Sequence, residues 1–127
     1  MRASRPVLAA FALSLAFAVP AMAQSHPDNV RVTGGMLTDS RGMTLYTFAN
    51  DKMPGQSSCS GNCIKNWPAL VAAADARPMG DWTVVTRDDG TKQWAYKGKP
   101  LYTFVKDMKP GDNTGDNVGN VWHTARP

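Results

Sequence analysis

Two cysteines, Cys59 and Cys63, stand four residues apart with Gly61 and Asn62 between them. In an oxidising compartment such a pair is expected to close a disulfide, and closing a five-residue loop stabilises by about 2 kcal/mol in the chain-entropy description. The rival chemistry is redox or copper handling. Thiolates and thioethers suit Cu(I), and Met53 and Met108 stand in related loops. Copper proteins with a C-x-x-x-C pair ask for more than this chain supplies. A dinuclear site wants a histidine four residues after the second cysteine, where Trp67 stands, and a chaperone wants proline directly after it, where Ile64 stands. C-type haem attachment has no local C-x-x-C-H.

A second set of reactive residues occurs twice. Tyr46, Phe48 and Asp51 recur as Tyr102, Phe104 and Asp107. Read as structure, the aromatic residues fill a strand face, and each aspartate opens a D-x-x-P-G turn as the acceptor of an Asx-turn. Read as a site, the tyrosine and aspartate share a ligand pocket. The loop from Asp112 to Asn117 has a calcium-like composition but misses the EF-hand spacing. Catalysis has little support. The chain has no glutamate, its two histidines are His26 and His123, and it has no G-x-S-x-G.

The N-terminus adds one metal possibility. Arg2 and Arg5, an apolar run from Val7 to Val19, and Ala21-Met22-Ala23 read as a secretory leader of residues 1–23. Cleavage there makes Gln24-Ser25-His26 the new terminus. An α-amine, two deprotonated amides and the imidazole of His26 would then form a planar four-nitrogen site for Cu(II) or Ni(II). The opposing reading is a flexible end over residues 24–29 with an incidental histidine.

The elements that position these groups read as β. Residues 42–55 and 98–111 match at eight of fourteen positions, and Trp67 and Trp122 follow at related places. The sequence predicts strands near 30–38, 43–49, 82–87, 91–96, 100–105 and 120–125, with a helical turn at 60–66 that stops before Pro68. Residues 71–77 read as a linker in preference to a short helix. Gly115 and Gly119 stand where the first copy has its cysteines, so one loop is stapled and the other left open. Together these predict an all-β or β-dominated antiparallel single domain over 30–127. Its pseudo-equivalent halves would span about 30–70 and 80–127, with at most one or two short helical turns.

Charge excludes one class of partner. The chain carries +4 over 127 residues, and Arg2 and Arg5 leave with the leader, so no basic footprint for nucleic acid remains. The apolar leader is too short to span a bilayer, and the mature chain has no transmembrane segment.

The repeated pattern resembles a bacterial family of secreted proteins and predicted lipoproteins with a Y-x-(F/W/Y)-x-x-D motif. Here the motif is Tyr46 to Asp51 and again Tyr102 to Asp107, joined by the C-x-G-x-C stretch and Trp67-Pro68. The resemblance implies an exported protein and brings no established activity with it. This chain has no cysteine at the cleavage position, which points to a periplasmic or secreted form without a lipid anchor. The expectation is a non-catalytic binding or interaction domain for a small ligand or a protein. Redox or copper handling through Cys59 and Cys63, or through His26, is the alternative. No cofactor is expected, with Cu(II) or calcium as the exceptions to test.

Overall fold

The structure, a computed structural model, describes residues 26–127. The leader, its cleavage site, and Gln24 and Ser25 of the copper-site reading lie outside the described residues. In chain order the elements are strands β1 (Val30–Thr33), β2 (Met36–Asp39) and β3 (Tyr46–Phe48), then a five-residue helix α1 (Asn62–Asn66). Strands β4 (Val71–Ala72), β5 (Trp82–Thr86), β6 (Lys92–Tyr96), β7 (Lys99–Pro100) and β8 (Trp122–Thr124) follow, with a 3-10 turn at Val118–Asn120 before β8. The fold is β-dominated and every strand pairing is antiparallel: β1 with β2, β3 with β8, and β6 with β4, β5 and β7.

The predicted strand at 30–38 is a hairpin. Gly34 and Gly35 adopt φ of 58° and 78°, the left-handed pair that a two-residue turn between twisted strands requires. The predicted strand at 100–105 is mostly irregular. Regular pairing ends at Pro100, and only two isolated bridges at Tyr102, to Tyr46 and Ala69, continue it. Residues 71–77 begin with β4 and then turn through Ala76 N–H to Ala73 C=O. The segment expected to be flexible is packed from His26 onward. Pro27 is buried, the His26 ring stands edge-on to Trp82 at 5.9 Å, and Asn29 Nδ2 donates to Val71 C=O at 2.8 Å.

The two halves interlock instead of stacking side by side. Tyr46 N–H donates to Tyr102 C=O at 2.8 Å, and Tyr102 N–H returns the bond to Tyr46 C=O at 3.0 Å. Around this reciprocal pair main-chain bonds recur in matched pairs. Leu37 donates to Ala125 and Trp94 to Leu70, while Ala125 donates to Leu45 and Leu70 to Leu101. The repeated Pro-Gly turns cross as well. A Cβ on Gly98 would lie 3.5 Å from Pro54, and one on Gly42 would lie 3.0 Å from Pro110. Each half's turn therefore closes over the glycine that opens the other half's strand, which is why the repeat begins and ends in glycine.

The core divides into two clusters. One is mostly aliphatic on one side and indole on the other, with Leu37, Leu45, Leu70 and Leu101 packed against Trp82 and Trp94. The other is aromatic and lies between the halves, with Tyr46, Tyr102, Trp67, Trp122 and Phe104 around Cys59. Thr44, Leu45 and Tyr46 are consecutive and all fully buried. Alternation would send one of the two faces to solvent, but this segment has the other half on one side and the aliphatic cluster on the other.

Candidate functional site

The repeated tyrosines and aspartates meet crosswise. Tyr46 O–H donates to Asp107 Oδ2 at 2.6 Å, and Tyr102 O–H donates to Asp51 Oδ2 at 2.6 Å. The aspartates do not fold back onto their own turns in the expected Asx geometry. Asp51 Oδ1 accepts the N–H and hydroxyl of Ser58 at 2.6 and 2.8 Å. Asp107 Oδ1 accepts the same pair from Thr114 at 2.9 and 2.6 Å. Seven residues separate acceptor and donor in each half, so the carboxylate ties its own loop to the other half's strand.

Between these pairs runs a stack of four rings. Trp67 and Trp122 lie face to face at 3.8 Å and 2°, with Phe104 on the outer face of Trp67 at 4.0 Å and Phe48 on that of Trp122 at 4.2 Å. Tyr46 and Tyr102 stand edge-on to the two indoles at 5.3 and 5.2 Å. Burial, then the hydrogen bond to Asp107, pushes the Tyr46 phenol far above its ordinary range. Burial and the bond to Asp51 do the same for Tyr102. Both phenols therefore stay protonated as donors.

Past the phenols the halves differ. Tyr46 O accepts directly from Gly115 N–H at 3.1 Å. A Cβ on Gly115 would come within 2.7 Å of Trp67 and 3.0 Å of Phe104, so only glycine fits. The matching residue in the first half is Cys59, which is joined to Cys63 in a disulfide. Here Ser57 stands between. Since the Tyr102 proton is committed to Asp51, Ser57 donates to Tyr102 at 2.6 Å and accepts from Cys59 N–H at 3.3 Å and Arg87 Nη1 at 2.8 Å. Arg87 Nη1 also donates to Gln93 Oε1 at 2.8 Å, and Nη2 to Cys59 C=O. Gln93 is fully buried and its Nε2 is spent on Leu101 C=O at 2.8 Å.

Arg87 reaches this network because its hairpin is longer than its counterpart. Thr33 and Met36 enclose only Gly34 and Gly35, whereas Val85 and Gln93 enclose the seven residues from Thr86 to Lys92. The extension overhangs the disulfide loop, and between them lies a cleft of about 480 Å³. Gln56, Ser57, Ser60 and Ile64 form one wall, and Val85, Arg87, Asp88 and Asp89 the other. Asp89 is held below the usual carboxylate range by the Thr91 hydroxyl and N–H, which bond to its Oδ1 at 2.6 and 3.0 Å. Among the described residues the one ion pair is Arg41–Asp39, so no carboxylate lies within salt-bridge reach of Arg87.

The other candidates stay apart. His123 is half-buried in β8. In the calcium-like loop, Asp112 Oδ2 accepts Met108 and Lys109 N–H, and Asp116 Oδ1 accepts Thr124 N–H. Among the described residues no three histidine, cysteine or carboxylate groups converge. His26 Nδ1 is buried and bonds to no described residue. Sequence reading missed Ser57, Arg87 and Gln93: with 30–38 read as one strand, the unequal length of the two hairpins gave no signal for Arg87.

No curated protein and no solved structure matches this chain. A family described as a secreted repeat of unknown function matches it twice, over residues 30–71 and 83–126. Those two stretches are the interlocked halves, and among the described residues no helix is long and apolar enough to cross a membrane. The chain belongs to that family of secreted repeats.

Proposed function

We propose that this exported protein is a non-catalytic binding domain that holds a small polar ligand in the cleft between the disulfide loop and the extended β5–β6 hairpin. The observation that carries this reading is the cleft itself. Its walls are the disulfide loop of the first half and the lengthened hairpin of the second, and neither feature recurs in the other half. Two of the five guanidinium N–H groups of Arg87, one on Nε and one on Nη2, have no acceptor among the described residues. A closed disulfide makes one wall stiff, as a preformed site requires. Redox or copper use of the cysteines has weaker support, because Cys59 is fully buried against the aromatic cluster.

A thermal-shift screen of small polar compounds tests this, run on the parent and on Ser60→Trp. Ser60 is exposed on the cleft wall and its side chain makes no hydrogen bond among the described residues, so the indole fills the cleft and spares the fold. A ligand at a hundredfold excess over its Kd stabilises by about 2.7 kcal/mol. The expected result is a rise in Tm of several degrees in the parent that Ser60→Trp abolishes. Hits that Ser60→Trp leaves unchanged, or a screen with none, overturn the reading.

A further inference from the structure

We infer that the cleft selects a zwitterion, a carboxylate with a nearby ammonium on a small apolar body, of the kind a neutral α-amino acid presents. The inference rests on the binding reading above and names the class of ligand. Three features of the walls lead to it.

The first is Arg87. Its guanidinium is half-buried, is held from one side by Ser57, Gln93 and the Cys59 carbonyl, and keeps two N–H groups unspent. All three acceptors are neutral. Its hydrogen bonds lead to a carboxylate, Asp51, only through two hydroxyls, Ser57 and Tyr102, and Asp89 acts on it through space without an ion pair. A guanidinium pinned in this way loses little freedom on binding, and its planar donors match a carboxylate. Burial also raises the cost of leaving its charge without a direct partner.

The second is the pair Asp88 and Asp89, next in sequence and on the same wall. Both are exposed, and Asp89 is held ionised by Thr91. Two carboxylates beside one guanidinium disfavour a ligand that is only anionic, and most of all a phosphate or dicarboxylate. They favour one that brings its own cation. The first half's own hairpin has no such arrangement, since it turns at Gly34 and Gly35 alone.

The third is the apolar part of the lining, Ile64 on the loop side and Val85 on the hairpin side. Val85 is 3% exposed, so Ile64 supplies most of the contact to a short aliphatic body, and neither offers the stacking that a sugar or nucleobase would use.

Calorimetric titration of the whole protein with matched probes tests the inference. The zwitterions are L-alanine, L-serine and L-leucine, and the controls are the acids and amines left when each loses its ammonium or its carboxylate. The expected result is that at least one zwitterion binds roughly tenfold or more tightly than both of its single-charge counterparts, as expected when one charge-assisted contact is lost. Asp88→Asn should erase the advantage over the acid, and Arg87→Gln the advantage over the amine. Arg87 also holds the loop, so Asp88→Asn is the primary variant, because Asp88 is exposed and its side chain makes no hydrogen bond among the described residues. An acid that binds as well as its zwitterion overturns the inference, as does an Asp88→Asn variant with unchanged selectivity. So does failure of all three zwitterions at millimolar concentration. If these failures come with other ligands that Ser60→Trp still displaces, the cleft reading stands and only the ligand class falls. Zwitterion binding that Ser60→Trp leaves intact removes both.

Discussion

Tyr46 and Tyr102 occupy the same place in two halves of one fold and meet different surroundings. Beyond Tyr46 lies a single glycine N–H, pressed so close to Trp67 and Phe104 that no side chain fits. Beyond Tyr102 lie a serine, a disulfide-bonded cysteine, an arginine from a lengthened hairpin and a buried glutamine. The first arrangement is the least that satisfies a buried phenol oxygen. The second spends four polar groups on the same task and opens a cleft beside them. In a fold built from two copies of one unit, what the copies share is what folding needs, and what only one has is free to serve something else.

The largest effects are expected where the halves are alike. Trp67 and Trp122 form the centre of the ring stack, and truncating a buried tryptophan costs about 3–5 kcal/mol. Trp67→Ala and Trp122→Ala should therefore be destabilising to a similar degree, as read from urea midpoints. A difference of more than about 2 kcal/mol between them would break the equivalence of the halves at their shared centre.

Next come the phenols. Tyr46→Phe leaves Oδ2 of Asp107, a residue 6% exposed, and the Gly115 N–H without their partner, while Asp107 Oδ1 keeps Thr114. It should cost about 2–3 kcal/mol, at the upper end for a buried unsatisfied group. Tyr102→Phe should cost less, because Asp51 is half-buried and within reach of water, and Ser57 keeps Arg87. The same pair sets an alkaline limit. Both folded phenols titrate above their ordinary value, so above about pH 10 the unfolded chain ionises first. The stability held by the neutral phenols is whole below that pH and is lost as pH rises beyond it, by about 1.4 kcal/mol per unit for each tyrosine. Denaturation followed at increasing alkaline pH should show this slope, reduced by half in either Phe variant.

Much of this was legible in the sequence, and the reason lies in the repeat. Leu45 and Leu101, the crossed tyrosines and aspartates, and the two tryptophans all stand out by recurrence, which also gave the paired halves, while alternation and the Asp89-Gly90 turn gave the β class. The crossing itself was not legible, because Tyr46 with Asp51 and Tyr46 with Asp107 satisfy the same local pattern. Only the reciprocal bridge at Tyr46 and Tyr102 decides between them. Gly34-Gly35 did carry a turn signal, but apolar and β-branched residues on both sides hid it. Arg87 was invisible for the opposite reason. It has no counterpart in the repeat, and beside Asp88-Asp89-Gly90 it reads as the flank of a hairpin.

The disulfide lies between the shared and the private features. It replaces the role that Gly115 plays through close packing, but it closes only a short loop between Cys59 and Cys63. Opening it with a Cys59→Ser and Cys63→Ser double variant should cost about 2 kcal/mol by the entropy description. The loss should fall on the loop and cleft and spare the ring stack. Amide exchange should therefore quicken over residues 56–64 while the protection of β3 and β8 stays near that of the parent. Equal loosening in both halves would mean that the staple supports the whole fold and not the cleft.

The smallest effect on stability is expected at the tip of the long hairpin, and it sharpens the comparison most. Asp88 is exposed, has no hydrogen-bond partner among the described residues, and lies outside the stretch that the shorter hairpin shares. Surface substitutions away from caps, cores and ion pairs usually stay within about 0.5 kcal/mol. Asp88→Ala should match the parent in urea midpoint and in m-value, since neither the buried area nor the compactness of the unfolded chain changes. Asp89→Ala is the internal control, because it removes the turn bonds to Thr91 N–H and hydroxyl and should cost measurably more than its neighbour. If Asp88→Ala were destabilising by as much as Asp89→Ala, the hairpin tip would belong to the folding machinery, and the extra length of the second hairpin would need a structural explanation.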